Sequence, residues 1–144
     1  MTELNHAKSF RDLLVYQKAK KLSREIFEIS RSFPKEETYS LTDQIRRASR
    51  SIGAQIAEAW AKRRYERHFV SKLTDADAEQ METQHWIDEA LDCGYLEPKE
   101  AEKLTEELMQ VGRMLNSMAN KANLFCRQNN DVIREDAVEY LAEK

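Results

Sequence analysis

The 144-residue chain is poor in the residues that make turns and cross-links. Its three glycines and two prolines are too few to punctuate a β-sandwich or a doubly wound α/β fold. Its two cysteines, Cys93 and Cys126, are too few for a disulfide framework or a four-cysteine metal site. No apolar run approaches the roughly 18 residues that would span a membrane, and the polar N-terminus lacks the apolar core of a secretory signal. These absences predict a reduced, cytoplasmic protein that does not enter a membrane.

Charged residues, by contrast, are abundant, since they make up 34% of the chain beside 41% hydrophobic residues. This balance is close to that of soluble globular domains and excludes a wholly disordered chain. The length corresponds to about one domain.

The charges are unevenly distributed along the chain. Residues 1–70 contain 15 basic and 9 acidic residues, a net charge of +6, whereas residues 71–144 contain 8 basic and 17 acidic residues, a net charge of −9. Solvated helix faces would explain this asymmetry. The alternative is that one half of the chain meets an acidic partner, or the opposite half of another copy.

Apolar residues that recur at alternating steps of three and four positions predict long helices. The first begins after Asp12, whose carboxylate would cap the first turn, and ends before Pro34. The second covers about residues 40–63. It carries an additional face of small residues, which predicts close neighbours on two sides: Ser51, Ala54, Ala57 and Ala61.

Two further helices are predicted in the second half of the chain. The third covers about residues 65–93, and Gly94 suits a left-handed C-cap at its end. The fourth starts at Pro98, because proline is favoured in a first helical turn, and its apolar seam continues to Phe125. Two seam positions of the third helix are polar and must find partners if they are buried: Gln80 and Thr83.

The connections between these helices are short, at residues 35–39, 63–65 and 94–97. Short connections favour antiparallel neighbours, so the sequence predicts an all-α fold, an antiparallel up-down-up-down four-helix bundle. We expect the bundle over residues 10–127, after a disordered tail over residues 1–9. Residues 128–144 would form a short C-terminal extension that is helical.

No residue pattern predicts a catalytic or metal site. Glu82 and His85 have the spacing that di-iron bundles use, but such sites need a second pair of this kind, which the chain lacks. Cys93 follows a helix C-terminus, where the helix dipole disfavours a thiolate. The glycines are too scattered for a phosphate-binding loop. We therefore expect a protein without enzymatic activity and without a cofactor.

A basic cluster marks the end of the second helix, with Trp60 just before it and Tyr65 within it: Lys62, Arg63, Arg64 and Arg67. Cations interleaved with aromatic rings can bind phosphates and stacked bases, which would suit RNA or a ribonucleoprotein. Ion pairing within or between bundles is the alternative, and the pI near 5.7 favours it, since proteins dedicated to nucleic acid tend to be basic.

An acidic stripe follows the third helix at helical spacing, with Trp86 in its midst: Asp75, Glu79, Glu82 and Glu89. Arginines on the second helix would complement such a stripe, either within one bundle or between copies. The sequence thus predicts an ion-pair network for packing or oligomerisation, with these members: Arg46, Arg47, Arg50, Glu58, Glu79, Glu82 and Trp86.

The order of several short blocks resembles the four-helix-bundle proteins of the 23S rRNA intervening-sequence family. The resemblance extends from Phe10 to Met118, and its main blocks are Phe10-Arg11-Asp12-Leu13, Leu41-Thr42-Asp43-Gln44-Ile45-Arg46-Arg47-Ala48, Ile56-Ala57-Glu58, Glu79-Gln80-Met81-Glu82-Thr83-Gln84-His85-Trp86-Ile87 and Gly94-Tyr95-Leu96.

This resemblance implies an antiparallel four-helix bundle that assembles as a ring-like homopentamer. Members of the family were first noticed inside intervening sequences of bacterial 23S rRNA genes, and their molecular function is not established. A related branch works with the reverse transcriptase of diversity-generating retroelements and is strongly basic, which this acidic chain is not. The family usually has glycine where this chain has Ala59, so we expect the second helix to continue through Trp60.

Two hypotheses about function follow. The preferred one is a non-enzymatic bundle that binds copies of itself and serves as a scaffold or protein-interaction module. The alternative is RNA or ribonucleoprotein binding through the basic cluster at the end of the second helix.

Overall fold

A computed structural model describes residues 6–126 and 133–134 of the chain. Two strands of two residues each, β1 (His6–Ala7) and β2 (Ile133–Arg134), pair in antiparallel fashion. The rest of the regular structure is helical and consists of α1 (Leu14–Ser30), α2 (Leu41–Ala61), α3 (Glu66–Asp92), α4 (Pro98–Asn120) and the short α5 (Ala122–Phe125).

The four long helices form a bundle, as the sequence predicts. Going around it, α1 packs on α2, α2 on α3, α3 on α4, and α4 returns to α1. Helices α1 and α3 therefore occupy diagonal positions. The α2–α3 interface is the most extensive and the α1–α4 interface is the least extensive, so α1 is the helix that its neighbours cover least.

The core is formed by the predicted seams. Each helix turns its apolar stripe inward, because burial of these side chains is the main stabilising term. The Phe69 ring of α3 stacks on the Phe125 ring of α5 with 5.7 Å between centroids, and both are fully buried. Along the rest of the bundle, the largest fully buried aliphatic side chains include Leu22, Ile26, Ile45, Ile52, Ile56, Leu73, Ile87, Leu108 and Leu115.

The helix ends confirm two of the three capping predictions. Gly94 has a φ of 78°, and the Tyr95 N–H donates to the Ala90 carbonyl at 2.9 Å, which is the bonding of a Schellman C-cap. Pro98 occupies the first turn of α4, where Glu97 and Glu100 form a capping box.

Asp12, however, is not the N-cap of α1, so that prediction is wrong. Residues 10–12 form a turn of 3-10 helix, and Leu13 precedes α1 without a side-chain cap. The Asp12 carboxylate instead accepts a 3.0 Å hydrogen bond from the backbone N–H of Lys8. The tight turn places Asp12 where it faces the preceding segment rather than the first turn of the helix.

The polar positions of the α3 seam find partners, as predicted. The Gln80 amide donates to Asp77 Oδ1 at 2.9 Å and accepts from Gln84 Nε2 at 2.8 Å. The Thr83 hydroxyl donates to the Glu79 carbonyl at 2.8 Å. Burial of these groups is therefore not accompanied by lost hydrogen bonds.

The N-terminal tail departs from the predicted disorder over residues 1–9. His6–Ala7 form β1, Ala7 is only 1% exposed, and Lys8 is bonded to the turn that follows. Burial of Ala7 and pairing of its strand come from contacts distant in sequence, which local composition does not reveal. Residues 1–5 lie outside the described residues.

The prediction of a helix over residues 128–144 is wrong for Ile133–Arg134. These two residues form β2, with Ile133 opposite Ala7 and Arg134 opposite His6. An amphipathic pattern alone cannot reveal that the backbone pairs with the other end of the chain. The other residues of the predicted extension lie outside the described part of the chain, as does Arg127 at the predicted bundle boundary.

Among residues 6–126 and 133–134, no helix combines the length and the hydropathy that crossing a membrane requires.

Candidate interaction surfaces

The three arginines of the predicted network lie on α2, and each has a partner close by. Arg46 donates through Nε to Ser30 Oγ at 2.7 Å, and its guanidinium lies 4.5 Å from the centroid of the Phe27 ring. Arg50 lies 5.3 Å from the same centroid. Arg47 pairs with Asp43, one turn away, at 3.1 Å. These arginines therefore join α2 to α1, or bond within α2.

The acidic stripe of α3, defined as Asp75, Glu79, Glu82 and Glu89, lies on the outside of the bundle. Glu82 accepts a 3.0 Å hydrogen bond from the indole Nε1 of Trp86. Burial, reinforced by the neighbouring carboxylates of Glu82 and Asp75, raises the pKa of Glu79. Both causes disfavour the ionised form of Glu79 in the folded chain.

Within one chain, the predicted pairing of α2 arginines with the α3 stripe does not occur. In the part of the chain that the structure describes, neither Glu79 nor Glu82 forms an ion pair with an arginine. Arg46 and Arg50 contact Phe27 of α1, and Arg47 pairs with Asp43 within α2. Glu58 instead pairs with Lys72 at 2.7 Å, joining α2 to α3, and Lys72 also lies 3.7 Å from Asp75.

The basic cluster lies at the turn between α2 and α3. Arg63 packs on Trp60 with its guanidinium 3.6 Å from the ring centroid, and its Nε donates to the Trp60 carbonyl at 2.9 Å. Burial lowers the pKa of Arg63. The other three cations are exposed to solvent: Lys62, Arg64 and Arg67.

An aromatic edge accompanies these exposed cations. Tyr65 is 57% exposed, and its ring contacts that of His68 with 5.5 Å between centroids. Residues 64–68 line a shallow depression of about 470 Å³. Exposed cations therefore lie beside an exposed ring, while Arg63 packs on Trp60.

A second basic surface, on α1 and the 3-10 turn before it, was not predicted from the sequence. Its cations line a groove of about 350 Å³ together with Tyr16 and Gln17, and we call it the basic face: Arg11, Lys20, Lys21 and Arg24. The signal that would have found it is the spacing of Lys20, Lys21 and Arg24, which lie opposite the apolar seam of the first helix.

Two further grooves flank α1. The groove between α1 and α4 has a volume of about 580 Å³ and includes the apolar side chains of Ile29 and Leu104. In its wall, Glu25 Oε1 is buried without a hydrogen bond, and Lys103 Nζ lies 3.8 Å away. The groove between α1 and α2, about 320 Å³, includes Ala54 and Ala57 of the small-residue face.

The residues weighed for catalysis or metal binding are not brought together. His85 packs edge-on against Trp86 with 4.6 Å between centroids. Within the described ranges, no three His, Cys, Asp or Glu side chains are grouped to hold a metal ion. Burial raises the pKa of the Cys126 thiol to about 11, which suits a packing residue rather than a nucleophile.

Comparison with known proteins agrees with this architecture. A crystal structure of a protein with unknown function from the S23 ribosomal protein family of Bacteroides thetaiotaomicron VPI-5482 has a TM-score of 0.68 and 24% sequence identity, and the match covers 74% of this chain and 96% of that chain. At this identity the likeness concerns the fold. No curated protein matches the sequence. The family described as 23S rRNA-intervening sequence protein matches residues 11–117. Since this match includes most of the length, the chain belongs to the 23S rRNA-intervening sequence protein family.

Proposed function

We propose that this protein is a non-enzymatic four-helix bundle that binds copies of itself and serves as a scaffold or protein-interaction module. The observation that carries the proposal is the incomplete cover of α1. Grooves of about 580 Å³ and 320 Å³ flank this helix, and both include apolar or small side chains. Grooves of this kind are suited to receive side chains of a partner.

The α1–α4 groove also contains a polar atom that supports the proposal. Glu25 Oε1 is buried without a hydrogen bond in the described structure. Such an atom costs free energy unless a partner satisfies it. A second chain that fills the groove could supply a donor and exclude water from Ile29 and Leu104.

Size-exclusion chromatography with light scattering tests self-assembly directly. We expect a peak whose mass is a multiple of the 16.9 kDa chain, and the family resemblance suggests a multiple of five. Absorbance recorded at two wavelengths separates protein from bound nucleic acid. A protein that stays monomeric at micromolar concentration would contradict the proposal.

RNA binding is the second candidate function, because the basic cluster exposes Lys62, Arg64 and Arg67 beside the exposed ring of Tyr65. Exposed cations release counterions from phosphates, and an exposed ring can stack on a base. In an assembly the cluster would be repeated, so avidity could strengthen weak single contacts.

A salt titration with single-stranded RNA tests this candidate. If the three cations contact phosphates, replacing all three with alanine should reduce the slope of log affinity against log salt by about 2. The matched control removes two exposed lysines elsewhere, Lys35→Ala with Lys99→Ala, and should leave the slope unchanged. Equal slopes for the parent chain and the triple variant would exclude the cluster as the binding site.

A further inference from the structure

We propose that the basic face of α1 in one copy binds the acidic stripe of α3 in the next copy, so that chains join head to tail. The inference rests on the proposed self-assembly and identifies the two surfaces that would mediate it. Because both surfaces belong to the same chain, a second copy is a partner that carries the complementary charge.

The positions of the two surfaces determine the symmetry of the contact. Helices α1 and α3 are diagonal in the bundle, so the basic face and the acidic stripe belong to helices that are not neighbours. A contact that joins the basic face of one copy to the acidic stripe of the next uses two different surfaces. Each copy would therefore use its basic face toward one neighbour and its acidic stripe toward another, which is a heterologous contact and produces a ring when the rotation closes.

The charges on the basic face are available for this contact. In residues 6–126 and 133–134, none of its four cations forms an ion pair. The carboxylates closest along the helix are Glu28, which lies 3.6 Å from Arg31, and Glu25, whose Oε1 lies 3.8 Å from Lys103 Nζ without a hydrogen bond.

The charges on the acidic stripe are similarly available. Glu79, Glu82 and Glu89 form no ion pair in the described structure, and Asp75 shares Lys72 with Glu58. Like charges one turn apart on a helix repel one another. An opposing row of cations would reduce the repulsion within the stripe, and the stripe would in turn reduce the repulsion among the cations of the basic face.

The two surfaces differ in extent. Within α1 the cations of the basic face cover about one turn, from Lys20 to Arg24, whereas the stripe extends about 20 Å from Asp75 to Glu89. The basic face lines a shallow groove of about 350 Å³, and the stripe lies along the outer side of its helix. Half-buried Trp86 lies in the stripe, and such aromatic residues are enriched at the centres of interfaces.

Charge reversal on each surface tests the proposal. One variant combines Lys20→Glu with Lys21→Glu, and the other combines Glu79→Lys with Glu82→Lys. Each changes the charge of an outer surface, so circular dichroism should show folded helices. We expect light scattering to show that each variant alone assembles about tenfold or more weakly than the parent chain, because close charge pairs across interfaces couple strongly.

Mixing the two variants provides a rescue that a merely structural effect would not show. In an equimolar mixture, the reversed α1 of one variant again meets an opposite charge on the reversed α3 of the other. We expect assembly to return, with the two chains alternating. A single chain that carries all four reversals should likewise assemble with itself.

Matched controls reverse exposed charges elsewhere: Lys35→Glu with Lys99→Glu, and Glu36→Lys with Glu102→Lys. These should assemble like the parent chain. If a reversal unfolds the chain, the neutral pairs Lys20→Gln with Lys21→Gln, and Glu79→Gln with Glu82→Gln, take its place in the same assay.

The outcomes separate this inference from the proposed function. If the parent chain is monomeric, the proposed self-assembly is contradicted, and so is this inference. A parent chain that assembles while both reversal variants assemble equally well overturns the inference alone. Loss of assembly for the α1 variant without rescue in the mixture also overturns it, because the basic face then does not act through the α3 stripe.

Discussion

The Tyr95 hydroxyl, between α3 and α4, donates a 2.9 Å hydrogen bond to Glu37 Oε2, between α1 and α2. The bond joins two connections at the same end of the bundle. Glu37 Oε1 also accepts from the Ser40 hydroxyl at 2.7 Å and from the Leu41 N–H at 3.2 Å. These donors, of which Ser40 has the largest effect, hold the pKa of Glu37 below its ordinary value. The hydrogen bond to Glu37 raises the pKa of Tyr95 to about 12.

We expect Tyr95→Phe to lower the melting temperature at neutral pH, because Glu37 loses a donor. A carboxyl whose pKa is depressed by folding stabilises the protein above its unfolded-state pKa, and this stabilisation is lost as pH falls through the folded-state pKa. The difference between parent and variant should therefore shrink on acidification. Thermal melts at about pH 7 and about pH 3 check this.

Tyr39→Phe is the matched control, since Tyr39 is 93% exposed and makes no hydrogen bond in the described structure. It should leave the melting temperature unchanged at both pH values. A Tyr95→Phe effect that is independent of pH would indicate that the hydroxyl acts without Glu37.

Two mid-helix glycines should respond oppositely to alanine. A Cβ on Gly112 of α4 would lie 2.7 Å from Gln80 Nε2 and 3.0 Å from Asp77 Oδ1. The new methyl group would therefore displace the hydrogen bond between Gln80 and Asp77 of α3. We expect Gly112→Ala to cost about 1–2 kcal/mol of unfolding free energy, the strain of overpacking exceeding the gain in helix propensity.

Gly53→Ala is the matched control for this prediction. There the new Cβ meets only the edge of the Tyr16 ring, at 3.4 Å, so the propensity gain of up to about 1 kcal/mol should appear. Urea unfolding measures both variants. Stabilisation by Gly112→Ala as well would contradict the close approach of α3 and α4.

Phe125 tests whether the short α5 belongs to the bundle core. Its ring is fully buried against Phe69, so Phe125→Ala should lower the unfolding free energy by about 3–5 kcal/mol. Exposed Asn123 of the same helix is the control, and Asn123→Ala should stay within about 0.5 kcal/mol. Equal, small effects in chemical denaturation would place α5 outside the cooperative unit.

The adjacent arginines Arg46 and Arg47 should differ in their contribution to stability. Arg46 packs on Phe27 and bonds to Ser30, so Arg46→Ala should cost about 1–2 kcal/mol through lost packing and a lost hydrogen bond. Arg47 pairs with Asp43 on the exposed side of the same helix, and Arg47→Ala should cost less than about 0.5 kcal/mol. A larger loss at Arg47 in denaturant melts would contradict these placements.

Glu79 should affect folding and assembly in opposite directions. Because its pKa is raised, its ionised form is disfavoured in the folded chain, and this penalty is present at neutral pH and absent below the unfolded-state pKa. Glu79→Gln should therefore raise the melting temperature of dilute, unassembled protein at pH 7, with no difference near pH 3. The same change should weaken assembly, as light scattering at higher concentration would show.

The helices, their approximate ends and most of the core could be predicted from the sequence. The seam of α4 from Ala101 to Phe125, the polar pair Gln80 and Thr83, and the cap at Gly94 all follow from spacing within one segment. The partners of Arg46 could not be predicted in this way. They depend on how helices rotate against one another, which no single segment specifies.

The sequence by itself determined the all-α bundle, because a repeat of three and four positions allows apolar residues to be buried only as packed helices. Tertiary structure decided that Arg46 and Arg50 contact α1 rather than the α3 stripe. It also decided that the strand at Ile133 pairs with Ala7 and that α1 and α3 take diagonal positions in the bundle. Each of these is a relation between distant segments, set by the order of helices around the core.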